Sequence, residues 1–145
     1  MFRRGVKDLC QGAVAVEFAI VLPFIFLLLS GVINFGLILA NVNQLNSIVG
    51  VGMYYAFGNS SSTGVVSTQM TNATNMSPAP TITVSSFCQC LDGSSPGCGN
   101  TCSDGSVNSR FVTVTAASSV NLYALDFVLT NPFPTSVSGT IRTYK

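Results

Sequence analysis

From Phe18 to Ala40 the chain reads FAIVLPFIFLLLSGVINFGLILA, with no charged side chain. As an α-helix rising ~1.5 Å per residue, such a run spans the ~30 Å of hydrocarbon in a bilayer. It predicts one membrane-spanning helix near the N-terminus, with whatever follows folding on one side of the membrane. Directly before the run stands Glu17. A carboxylate at the centre of a membrane helix costs roughly 2.5–3.5 kcal/mol on insertion scales, and less near an end. A group that compensates Glu17 is therefore expected.

The rest of the 145-residue chain is short of charge: 8% of residues are charged and 48% hydrophobic. Soluble domains average about 25% charged. No charged residue lies between Glu17 and Asp92, and the net charge is +1. Nucleic-acid binding is not expected, because it requires a cluster of Lys and Arg to displace counterions from phosphates. Arg3, Arg4 and Lys7 precede the apolar run, opposed only by Asp8. Basic residues beside a first membrane helix favour a cytoplasmic N-terminus, which puts residues after Ala40 across the membrane.

Within the run, Pro23 removes one backbone donor, frees the carbonyl of Ala19 and predicts a kink. Asn34 is its strongly polar residue and a candidate for a hydrogen bond between helices. Gly36 and Ala40 form a small-xxx-small pair of the kind that allows close helix approach. Beyond the bilayer, Val42, Leu45, Val49 and Ala56 continue the helical period, although Gly50 and Gly52 weaken it. GNSSSTG (58–64) ends the helix, and VVSTQMTNATNM (65–76) predicts a short second one before SPAP (77–80). The period then becomes two. TITVSSF (81–87), FVTVTA (111–116) and SVSGTIRTY (136–144) read as three half-buried antiparallel strands. TNPFP (130–134) reads as the turn before the last strand, and no internal repeat is evident. The fold class expected is α+β: a long N-terminal transmembrane helix whose outer part packs on a small sheet.

Cys88, Cys90, Cys98 and Cys102 cluster on the predicted outer side, whereas Cys10 stands alone on the inner side. An even cluster in an oxidising compartment reads as two disulfides. A domain of this size needs such staples. Cys88 and Cys90 project along the same strand face and are poor partners for each other. Two pairings stay open: Cys88–Cys98 with Cys90–Cys102, or Cys88–Cys102 with Cys90–Cys98. Zinc is not expected, since the spacing differs from paired Cys arms and the chain has no histidine. Asp92 and Asp104 sit in Gly-rich stretches as turn formers. No pairing of side chains fitted to acid–base catalysis stands out, so neither an enzyme nor a cofactor is expected.

Glu17 lies four residues beyond Ala13, which follows Gly12. Cleavage after Gly12 would give Ala13 a new ammonium one helical turn from the carboxylate. The basic leader, Gly12, AVAVEFAIVLP and the long apolar helix resemble type IV prepilins. Ala13 as first mature residue and Phe18 after the glutamate resemble the tight-adherence (Tad/Flp, type IVb) branch. The polar domain with its cysteine-rich loop resembles the TadE-like minor pilins, or pseudopilins. The resemblance implies a leader (1–12), an N-terminal helix (13–57, spanning the membrane at about 18–40) and an extracytoplasmic domain (58–145), with a type IV pilin-like fold. It also implies cleavage between Gly12 and Ala13 by a prepilin peptidase, with Glu17 and Phe18 recognised during assembly. The implied partners are other Tad/Flp subunits, an inner-membrane assembly platform and the membrane. The implied location is a bacterial inner membrane, N-terminus in and C-terminus out, and then a pilus that mediates adherence. The alternative is a signal-anchored envelope domain that binds a ligand or surface without building a pilus.

Overall fold

The computed structural model describes residues 5–59, 61–123 and 129–143, with side chains from Val14 onward. Helix α1 (Gly5–Gly58) is followed by α2 (Thr63–Asn72) and strands β1 (Thr81–Gln89), β2 (Ser109–Val120) and β3 (Phe133–Thr143). The sheet order is β1-β2-β3, antiparallel throughout. The chain is α+β, with one long apolar helix and a small sheet, as expected.

Helix α1 passes through Pro23 without ending. Its outer part presents Leu45, Ile48, Val49 and Ala56 to the domain, all buried. Gly50 and Gly52 do not end it. The reason at Gly52 is packing: a Cβ there would lie 2.5 Å from the Met70 sulfur of α2. The bare backbone lets α2 sit close against α1. Helix α2 ends at Asn72, short of the predicted stretch. Ala73 and Thr74 donate back to the carbonyls of Gln69 and Thr71, and the Thr74 hydroxyl then takes the N–H of Met76. A threonine side chain thus satisfies a donor that a further helical turn would have used.

Alternation decides the sheet. Val112, Val114 and Ala116 of the central strand point inward and are buried. Their partners across the ladders include Ile82 and Val84 of β1 and Val137 and Ile141 of β3, which pack on the same core. The opposite face carries hydroxyls, with Thr113 and Thr140 2.9 Å apart. At one end of that face Phe87 stacks on Phe111. Strand β3 begins earlier than predicted: Phe133 and Pro134 pair with Val120 and Ser119. Pro134 is tolerated because β3 is an edge strand.

Candidate functional site

The two ends of α1 have different surroundings. From Val14 to Leu29 every side chain is exposed. From Val14 onward α1 is long and apolar enough to cross a membrane, and the described residues bury none of its apolar window. Glu17 and Phe18 lie on it, Phe18 at 61% exposure. Among the described residues Glu17 has no ion pair and no hydrogen bond from its side chain. Gly12 and Ala13 fall within the helical backbone of α1. Their surroundings, and the side chain of Cys10, lie outside the described residues, as do Arg3, Arg4 and Asp126.

Farther along, α1 meets the domain first through polar groups. Asn34 is only 2% exposed. Its Nδ2 donates to the carbonyls of Ser30 and Tyr123, and its Oδ1 accepts the Tyr123 N–H, each at 2.7 Å. The hydrogen bond expected between helices is made instead to the chain just after β2. The amide is filled by backbone groups, a partner no sequence period reveals. Two turns on, Asn41 Oδ1 accepts the hydroxyl of buried Thr135 at 2.7 Å. Asn34, Asn41, Leu45, Ile48 and Ala56 thus form one seam, polar near the apolar run and apolar beyond it. Gly36 and Ala40 are exposed instead.

The cysteines adopt the first of the two open pairings, Cys88–Cys98 and Cys90–Cys102, with Cα separations of 5.0 and 5.9 Å. The second bridge joins two copies of one turn, which corrects the expectation of no internal repeat. Cys90-Leu91-Asp92-Gly93-Ser94 and Cys102-Ser103-Asp104-Gly105-Ser106 share the pattern Cys-x-Asp-Gly-Ser. In each, the cysteine N–H donates to the serine carbonyl and the glycine N–H returns to the cysteine carbonyl. In each, the aspartate accepts the serine N–H and hydroxyl. Gly93 and Gly105 have φ of 85° and 81°, where a side chain would be strained. Five residues are too short to stand out by composition, and the identical hydrogen bonds make the repeat visible. The serine hydroxyl first, and then its N–H, hold both Asp92 and Asp104 below the ordinary carboxylate value.

Residues 12–53 match the family model described as TadE-like protein. Along its N-terminal helix the chain is similar to TadE-like proteins. The match takes in Gly12, Ala13, Glu17, Phe18 and Pro23 and stops within α1, before α2 and the sheet. That likeness is consistent with a protein associated with a tight-adherence pilus, and the apolar N-terminal helix is long enough to span a membrane. No curated protein and no solved structure matches the chain significantly.

Proposed function

We propose that this chain is a minor pilin, or pseudopilin, of a tight-adherence type IV pilus. It is inserted in the inner membrane with its N-terminus inside, cut by a prepilin peptidase between Gly12 and Ala13, and built into a pilus that attaches cells to surfaces. The role is structural rather than catalytic. The observation that carries the reading is Glu17, a carboxylate with no partner among the described residues, on a half-helix that those residues leave exposed. In a bundle the carboxylate meets the Ala13 ammonium of a neighbour in a low-dielectric seam, where opposite charges attract more strongly than in water. Phe18 packs beside that pair, and Pro23 lets the helix bend as it leaves the assembly platform for the bundle.

The test is the N-terminal sequence of the mature protein made with its peptidase present. Ala13 is the expected first residue, and Gly12→Val, which puts a branched side chain before the scissile bond, should leave the precursor uncut. A mature terminus at Asn41, after the small residue Ala40 of LILA (37–40), would support a removable signal peptide, and one at Met1 a plain anchor. Either would remove the pilin reading: the first would leave an envelope domain released from its helix, and the second a signal-anchored one.

A further inference from the structure

We propose that Leu122 and Tyr123, just after β2, rest at the outer membrane surface, and that Asn34 marks the depth at which hydrocarbon ends. The inference builds on the single-span reading above and adds where the domain meets lipid.

Leu122 and Tyr123 lie beyond β2 and outside any strand, yet side-chain amides satisfy their backbone groups. Asn34 takes both the N–H and the carbonyl of Tyr123. Asn131 does the same for Leu122, accepting its N–H at 3.1 Å and donating to its carbonyl at 3.2 Å. Two consecutive residues thus have all four polar backbone groups paired without water. That arrangement lets Leu122 be buried in the domain and leaves the exposed Tyr123 beside it with no backbone group that needs water.

Irregular backbone does not stand exposed to lipid inside the hydrocarbon. On the face of α1 that carries Asn34, the hydrocarbon must therefore end by that residue. Counting back from Ile33 to Val14 gives about 20 residues, or roughly 30 Å of helix, the thickness of the hydrocarbon core. The span moves from the expected 18–40 to about 14–33. The Gly12–Ala13 bond then lies at the inner boundary, within reach of a membrane protease, and Glu17 about one turn inside. At the outer boundary the Tyr123 ring is 66% exposed. An amphipathic ring at that level fits the aromatic belt of a bilayer interface. Phe35 and Leu39 extend the exposed apolar surface of α1 beyond Asn34. A tilt of the usual ~20° keeps lipid against the far side of the helix for longer.

The chain contains no tryptophan, so one introduced indole reports alone. Tyr123→Trp, Phe24→Trp and Tyr54→Trp would each be placed in the full chain and reconstituted in phosphatidylcholine vesicles. The acyl chains would be brominated either near the headgroup or near the tail. Tyr123→Trp should emit to the blue of water-exposed indole and be quenched more by the shallow bromine. Phe24→Trp should be quenched more by the deep one, and Tyr54→Trp by neither. Deep quenching at Phe24→Trp without any at Tyr123→Trp would overturn this inference and leave the single span standing. Quenching of Tyr123→Trp chiefly by deep bromine would overturn it as well, because hydrocarbon would then pass Asn34. No quenching at Phe24→Trp would remove the single-span reading, and this inference with it.

Discussion

Helix α1 is one continuous element with two kinds of surface. Between Val14 and Leu29 every side chain is left exposed by the other described residues. Between Asn34 and Ala56 one face is sealed against the sheet and α2. The inner half is apolar all round, which a helix tolerates only in lipid or among other helices. The outer half is apolar along one seam and carries Asn43, Asn46 and Ser47 on exposed positions, the pattern of a helix between a core and water. The contrast teaches that the inner half takes its partners from outside the chain, whereas the outer half brings its own.

The largest effect expected from breaking this contrast is on assembly. Glu17→Gln keeps the shape of the side chain and removes its charge. Stranding one member of a buried ion pair commonly costs about 3–5 kcal/mol. The variant should insert and be cut after Gly12, yet fail to co-purify with other pilus subunits. Recovery of the same subunits in the same amounts would make the glutamate a bystander.

The same truncation in the two halves gives the next test. Leu45 is fully buried and Leu28 is 72% exposed. Leu45→Ala should destabilise the outer domain by about 2–5 kcal/mol, and Leu28→Ala by less than about 0.5 kcal/mol. Denaturant unfolding of the detergent-solubilised protein, followed by near-ultraviolet circular dichroism, would show both. Equal losses would mean that the halves are not separate in the folded chain.

A smaller effect separates the two sides of the outer half. A Cβ at Gly50 meets nothing within 4 Å, whereas one at Gly52 collides with Met70. Gly50→Ala should stabilise by about 0.5–1 kcal/mol through helix propensity. Gly52→Ala should destabilise by about 1 kcal/mol, the typical overpacking cost of ~1–3 kcal/mol exceeding the same propensity gain. Melting of the two variants side by side should shift in opposite directions.

The smallest effect lies farthest from the helix. Asp92 and Asp104 have folded-state values held below the ordinary 3.8. Their contribution is therefore present above that value and lost as pH falls through the lower folded value. Thermal melts from pH 6 downward should show a shallow acid-side loss below about pH 4. Asp92→Asn with Asp104→Asn should flatten that slope while keeping both turns, since the amide oxygen still accepts from serine. An unchanged slope would place the acid sensitivity elsewhere.

Much of the inner half could be read directly. An uncharged apolar run of this length forms one long helix, a property of consecutive residues that needs no tertiary partner. The strands were legible for a similar reason, since alternation in FVTVTA dictates which side chains share a face. Gly52 was harder to read. A glycine in a helix looks like a defect until the Met70 side chain that needs its space is in view. The turn pair was missed because a five-residue pattern gains significance only when a disulfide joins its copies.

The sequence by itself determined the long apolar helix, the α+β class, the inward residues of the strands and the oxidation of the cysteine cluster. Each follows from local periodicity or from the number and clustering of the cysteines. Only the tertiary structure decided which cysteines pair, why α1 carries a glycine at its tightest contact, and what Asn34 is for. Those answers depend on groups from 10 to 89 residues apart in the chain. Polar side chains of one kind satisfy many alternative partners equally well. Which partner they meet is settled by packing, once the apolar faces have closed.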